Sequence, residues 1–544
     1  MNLKEELQNF ISGDVRDDEE TLAKQSRDYS IFEVRPRVVV FPKDEEDIKK
    51  LVLFADTHPE EKLSIACRSG GTDMSGGPLG ESIIVDFSQY FNRIQEIGAG
   101  YAVVQPGVFY RDFEKEAEKH NLLLPSYPAS KDICMVGGMV ANNSGGEKSL
   151  RYGKTENYVQ ELRMILADGK EHIFFPLSKD ELAAKMKLEG FEGDIYRRLH
   201  QLIEDNYEAL QEAKPKVSKN SAGYFLWNVW DRKTFDLTKL MVGSQGTLGI
   251  ITEVKLRLIR PEKHSALLVI FLKDLEPLAR LVQKVVEKKP ESFEFYDDET
   301  LKLALRFLPD FLHILGAKSV WSLAWQFLPE FRMLLMGGLP KLILLAEFTG
   351  DSLEQTHAKA KEAEVSVKEF GFPTHITRDA KEAEKYLSVR RKSFSLLHSH
   401  VKGLSAAPFI DDIVVLPEYL PEFLPKIGRI LEPYKKKMVY TIAGHVGDGN
   451  FHIIPLMDLS RPDVRAIIPE LMAKVHELVF QWKGSITGEH NDGLIRTPYL
   501  KDMYGEKIVG LFEQVKDIFD PHNIFNPGKK VRGSVEYGLK HLAA

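Results

Sequence analysis

Glycine is concentrated at three points in the first half of this chain, Gly70–Gly80, Gly137–Gly146 and Gly243–Gly249. Each cluster is flanked by apolar runs such as Leu63–Cys67 and Ser82–Asp86. Regular structure does not run easily through such clusters, because each glycine gives up more backbone entropy than any other residue. The chain must therefore leave its strands and helices three times. At each exit the backbone amides are bare, which suits close approach to a phosphate. The first cluster, Arg68-Ser69-Gly70-Gly71-Thr72-Asp73-Met74-Ser75-Gly76-Gly77, is neither a Walker loop nor a GxGxxG turn. It lacks the lysine of the former, and no helical pattern follows it directly.

Around these exits the pattern is strand and helix in alternation. Residues 1–33 read as a polar, helical lead-in. Val38–Pro42 is a strand, and Asp44–Ala55 a helix whose Glu45, Glu46 and Asp47 favour its dipole. Leu63–Cys67, Ser82–Asp86 and Ile250–Ile259 are further strands. After Arg260-Pro261 the texture changes, with a strand at Ser265–Leu272 and a helix across Leu275–Glu287. At 544 residues the chain is too long for one core. The expected division is a lead-in (1–33), a first domain (34–262), a second domain (263–499) and a C-terminal segment (500–544), in an α+β fold.

Charge and cysteine use narrow the function. Lys plus Arg number 73 against 80 Asp plus Glu, a net charge of -7, which argues against nucleic acid as partner. Two cysteines, Cys67 and Cys134, support neither a disulfide framework nor an iron–sulfur cluster. The N-terminus carries no signal-peptide core, so the cytoplasm is the expected location.

The strongest chemical signal is Gly444-His445-Val446-Gly447-Asp448-Gly449-Asn450-Phe451-His452, followed by Gly488-Glu489-His490-Asn491-Asp492-Gly493. Three glycines in the first run rule out a stable helix, so its histidines sit on a strand-turn segment, free to converge. Two histidines and a glutamate suit a borderline metal with room left for substrate.

The three loops, with Arg151-Tyr152-Gly153 and Ala167-Asp168-Gly169 between them, resemble the PCMH-type FAD-binding domain of vanillyl-alcohol-oxidase-like flavoproteins over about residues 34–260. The resemblance implies FAD. Arg68 and Ser69, Gly70, Gly71, Thr72, Asp73, Met74 and Ser75 would hold the pyrophosphate. Pro128, Ser130, Gly137, Gly138, Asn142, Ser144 and Gly145 would line the isoalloxazine side, and Ile250 and Ile251 would meet the adenosine part through their backbone. Residues 68–77 lack the histidine used for covalent attachment, so the FAD is expected to be noncovalent. Gln245 stands where the pattern usually has glutamate.

The histidine motifs resemble the C-terminal domain of FAD-linked D-lactate, glycolate and D-2-hydroxyglutarate dehydrogenases over about residues 263–530. That resemblance implies oxidation of a small D-2-hydroxy acid to the 2-oxo acid, with hydride passing to flavin N5. His445, His452 and Glu489 would bind a divalent metal, zinc or manganese. His490 would be the general base and Asn450 would touch substrate or flavin. Leu387-Ser388-Val389-Arg390-Arg391 resembles the helix that offers an arginine to the substrate carboxylate, with Arg390 the better match. Asn526-Pro527-Gly528-Lys529 matches the family ending that returns to the flavin, with Asn526 at the cofactor. The usual Glu-His-Gly is here Glu489-His490-Asn491-Asp492-Gly493. The rival readings are an alkylglycerone-phosphate synthase, a sugar or alcohol oxidase, and a noncatalytic flavin-binding subunit of a larger complex. The electron acceptor would be a quinone or an electron-transfer protein.

Residues 301–345 stand apart. Phe307-Leu308-Pro309-Asp310-Phe311 nearly repeats as Phe327-Leu328-Pro329-Glu330-Phe331, and Pro309, Pro329 and Pro340 break the stretch into short helices. Trp321 and Trp325 share one helical face, with Lys318, Arg332 and Lys341 flanking the apolar runs. Two readings remain open: packing on its own domain or in a homodimer contact, and peripheral docking on a membrane.

Overall fold

A computed structural model describes residues 2–306, 339–400 and 403–543. Its first layer is a four-stranded sheet of β1 (Asp14–Arg16), β2 (Val38–Phe41), β3 (Ile65–Arg68) and β4 (Ile83–Asp86), in the order β1-β2-β4-β3. The pairs β2–β4 and β3–β4 are parallel. The crossover from β2 to β3 is helix α1 (Glu45–Thr57), capped by Asp44. β3 and β4 are joined instead by the first glycine cluster. The lead-in is not purely helical. β1 interrupts it and pairs antiparallel with β2. The reason is Asp47, whose carboxylate accepts from the amides of Ser12 and Gly13 and fixes the chain just ahead of β1.

The second layer is an antiparallel sheet of β5 (Ile94–Gly98), β6 (Tyr101–Val104), β7 (Val159–Ile165), β8 (Glu171–Phe174) and β9 (Ile250–Arg257), ordered β5-β6-β9-β7-β8. The second glycine cluster departs from the expectation that the chain leaves regular structure there: Gly137 and Gly138 lie in the short helix α2 (Val136–Asn142), and the exit comes at Asn143, with φ +51°.

The second half is built on a seven-stranded antiparallel sheet. Its strands are β10 (His264–Leu272), β11 (Ser292–Asp297), β12 (Leu342–Gly350), β13 (Thr374–Ile376), β14 (Ile413–Val414), β15 (Ile442–His445) and β16 (Asn450–Ile453). The order is β13-β10-β12-β11-β15-β16-β14. Two-residue alternation divides its side chains between two cores. Leu268, Ile270, Leu344 and Phe295 face one core, which includes the helix Leu278–Val286. Leu267, Val269, Leu345 and Tyr296 face Tyr386, Leu387 and Val389 of helix α3 (Ala380–His400). Glu294, between Phe293 and Phe295, is therefore on the α3 side.

Helix α4 (Leu500–Phe519) bends at Gly505 and buries Phe512, Val515 and Phe519 in the core of the second layer. The chain then runs beside β3, where the Ile65 amide donates to Ile524 O and the Asn526 amide to Ile65 O. Among the described residues no helix is long and apolar enough to cross a membrane. Trp321, Trp325, Pro309, Pro329, Lys318, Arg332 and both Phe-Leu-Pro units lie outside the described residues.

Candidate functional site

One cavity of about 920 Å³ joins the two halves. Ser69, Gly70, Gly71, Thr72, Asp73 and Met74 line it from the first loop. Pro128, Ser130, Gly137, Gly138, Asn142, Ser144 and Gly145 line it from the second, and Gly246 and Ile251 from the third. Arg390, His445, His452, Glu489 and His490 line its other end.

The loop end is shaped by a few side chains that accept or donate to backbone. Asp73 Oδ2 accepts from the amides of Ser75 (2.9 Å) and Gly77 (2.8 Å), curling the first loop on itself. Its Oδ1 accepts from Asn142 Nδ2 at 2.8 Å, tying that loop to α2. Gly71 has φ +66°, and a Cβ there would lie 2.3 Å from the Arg68 guanidinium. Gln245 explains its own departure from glutamate. Its amide donates to Ser75 Oγ and Asn142 Oδ1, while Oε1 accepts from the Gly493 amide at 2.8 Å. A carboxylate could not donate.

Five expected site residues stand behind the cavity wall rather than on it. Arg68 turns away to donate to Arg27 O at 2.7 Å. Ser75 is buried with its hydroxyl on Asp73. Ile250 is in the apolar core under β3. Asn526 bridges the loops, donating to Gly77 O at 2.8 Å and Gln245 O at 2.7 Å. Asn450 is fully buried, its amide donating to Asp412 Oδ1 and Ile413 O, so it shapes the site without reaching the cavity.

At the other end, β15 and β16 form a hairpin in which Ala443 pairs with His452. His445, two residues after Ala443, therefore shares a face with His452, and their ring centroids are 5.4 Å apart. Glu489 reaches the same point, with Oε1 3.3 Å from His445 Nε2. Ligand atoms of His445, His452 and Glu489 all lie within 4.8 Å of one another.

Four charged residues that the motifs did not single out hold this end together. Asp412 Oδ2 accepts from the amides of Gly488, Glu489 and His490 and from Thr487 Oγ1, which sets the path of the second motif. Asp411 is fully buried and divides its oxygens, Oδ1 to His452 Nδ1 at 3.1 Å and Oδ2 to His490 Nδ1 at 2.7 Å. Glu294 does the same for His445 Nδ1 and Arg390, each at 2.6 Å. Lys219 Nζ lies 2.5 Å from Glu489 Oε1 and 3.2 Å from Asp448 Oδ2.

These contacts fix the charges. Burial opposes ionisation of Glu294, but Arg390 and His445 outweigh it and hold the carboxyl below its usual range. Burial opposes the His490 imidazolium, yet Asp412 and Asp411 lift it to about 9. Each imidazole turns Nδ1 to a carboxylate and leaves Nε2 for the cavity, the arrangement of a histidine ligand or base oriented from behind. A signal for two of these residues was present. Asp411-Asp412 interrupts the apolar run Phe409 to Val415, and Glu294 sits between two phenylalanines. Such acids are buried and must be paired.

Residues 36–174 match the FAD binding domain and residues 261–530 match the C-terminal domain of FAD linked oxidases. The chain thus carries an FAD binding domain followed by the C-terminal domain of FAD linked oxidases. A D-2-hydroxyglutarate dehydrogenase of Pseudomonas putida is 27% identical over 95% of this chain, which spans 50% of that protein's length. The glycolate oxidase subunit GlcD of Bacillus subtilis is 27% identical, over 91% of this chain and 89% of its own. p-Cresol methylhydroxylase with substrate bound shares the fold at a TM-score of 0.67 and 15% identity, over 97% of this chain and 95% of its own. The expected PCMH-type, two-domain α+β architecture is thus present. The first two glycine loops lie within the FAD binding domain match and the histidine hairpin within the C-terminal domain match.

Proposed function

We propose that this protein oxidises a small D-2-hydroxy acid to the 2-oxo acid, with noncovalent FAD in the glycine loops and a divalent cation at His445, His452 and Glu489. The observation that carries the reading is the convergence of Arg390, His490 and the three-ligand cluster on the same cavity that the glycine loops line. The names of the relatives, a D-2-hydroxyglutarate dehydrogenase and a glycolate oxidase subunit, supply the substrate class.

The residues fit both groups. The cavity is long enough to run from the first loop to the hairpin, and its loop walls are largely backbone. Two imidazole nitrogens and a carboxylate form a donor set suited to zinc or manganese, with positions left for a ligand. When bound, FAD supplies the two-electron acceptor, and the cation supplies Lewis acidity toward the hydroxyl. Arg390 receives the substrate carboxylate on its planar fork. In its neutral form His490 takes the hydroxyl proton on Nε2, and Asp411 behind it stabilises the resulting imidazolium; because the imidazole is lifted to about 9, that neutral form, and with it the rate, grows as the pH rises toward 9. The electrons then pass from reduced FAD to an acceptor, a quinone or an electron-transfer protein.

The test is anaerobic mixing of the purified yellow protein with paired D- and L-2-hydroxy acids. The D-acid bleaches the flavin faster, and prior chelation slows bleaching while the FAD stays bound. Equal rates with both enantiomers, or with a neutral alcohol, overturn the substrate class.

A further inference from the structure

We infer that Glu294 is a positioning residue that couples the cation site to the arginine for the substrate carboxylate, an inference that rests on the functional reading above. Glu294 is 1% exposed and lies on β11, on the face of the sheet that packs against α3. One oxygen meets His445 Nδ1 at 2.6 Å, and the other meets Arg390 at 2.6 Å. Arg390 in turn comes within 3.4 Å of His445 Nε2. A single carboxylate therefore touches a candidate cation ligand and the candidate carboxylate receptor, which come from different elements, β15 and α3.

The two contacts make different demands on it. To offer Nε2 to a cation, His445 must keep its proton on Nδ1, and Glu294 accepts that hydrogen bond. To keep its fork at the cavity wall, Arg390 needs an anion behind it that cannot donate. A carboxylate meets both demands at once because it only accepts. An amide of the same shape cannot. If its oxygen faces Nδ1, its NH2 faces the guanidinium, donor against donor. If it flips, it donates to Nδ1 and forces the tautomer that closes Nε2 to a cation. Glu294→Gln must give up one partner, and cation affinity and substrate affinity cannot both survive it.

The test uses the FAD-loaded full chain stripped of metal. Zn²⁺ and, separately, Mn²⁺ binding is titrated calorimetrically for wild type, Glu294→Gln and Glu294→Asp. KM and kcat for the preferred hydroxy acid are measured for the same proteins, for Arg390→Lys and for the Glu294→Gln, Arg390→Lys double variant. Glu294→Gln is expected to weaken cation binding about 10–100-fold or to raise KM by a similar factor, with FAD content unchanged. Glu294→Asp recovers part of the loss, because it keeps the acceptor-only charge, and it carries the test if the Gln variant does not fold. The double variant shows non-additive KM effects if Glu294 acts through Arg390. If wild type binds neither cation, the functional reading falls and this inference with it. If wild type binds and Glu294→Gln matches it in both cation affinity and KM, this inference alone is overturned.

Discussion

The two ends of the cavity are built on opposite principles. The loop end is made of backbone, with glycines bringing amides to the surface and Asp73, Gln245 and Asn526 tying one loop to the next. The hairpin end is made of side chains, nearly all charged, each held by a buried partner. His476 shows what the carboxylates do there. It is as deeply buried as His445 and more so than His490, but no acid acts on it, and burial, with Arg496 nearby, pushes its imidazole down to about 3. His490, flanked by Asp411 and Asp412, moves the other way, to about 9. In this protein the neighbouring carboxylates, more than burial, decide whether a histidine can carry a proton.

The sharpest way to break the comparison is at Gly71. Gly71→Val puts a β-branched side chain at φ +66° and against Arg68, so the purified protein should carry no flavin absorbance and show no turnover. Retained yellow colour would mean that the loop end does not depend on its backbone. The corresponding change at the hairpin end is His490→Ala. It should lower kcat by about 10²–10⁴-fold while FAD and metal content stay at wild-type levels; a loss of either group would make His490 a structural residue.

Arg390→Lys is milder. A point charge replaces a fork, so KM should rise on the order of tenfold with kcat nearly kept. A fall in kcat at constant KM would place Arg390 in the chemical step instead.

The smallest effect concerns His476. Its folded value lies below that of the unfolded chain, so the folded state binds fewer protons between about pH 6.5 and pH 3. Stability is therefore fully present above about pH 6.5 and is lost as the pH falls, by at most about 1.4 kcal/mol per pH unit from this group. Denaturant titrations of wild type and His476→Phe from pH 7 to pH 5 should diverge toward acid. Parallel curves would show that His476 is protonated without cost.

These two ends also differed in how readable they were. The three loops and the hairpin are legible because glycine clusters and Gly-flanked histidines are local patterns, whereas Arg390 comes only through the resemblance of Leu387–Arg391 to a family helix. What holds them is not local. Asp411 lies 79 residues from His490 in the chain, and Lys219 is 270 from Glu489. Only the antiparallel order of the large sheet brings Glu294 beside His445. The strand within the lead-in is hidden from the sequence for a related reason. β1 is three residues long and exists because Asp47 holds the chain ahead of it against the edge that β2 offers, a tertiary fact that no helical periodicity could reveal. Asn450 and Arg68 had the right residue type at the right loop, but burial directs their side chains inward.

The pairing of β3 with residues 524–526 has a consequence for the order of assembly. Ile65 sits at the root of the first loop, and its backbone partners are Ile524 and Asn526. During synthesis the first loop leaves the ribosome hundreds of residues before the strand that completes its wall. Such distant contacts close late. The nascent FAD-binding half must wait, its sheet edge bare and its loops unbridged, and tight cofactor loading belongs after the 520–531 segment has docked. A chain interrupted between residue 250 and that segment would carry every glycine of the cofactor loops and still lack the Asn526 bridge that ties the first loop to the third.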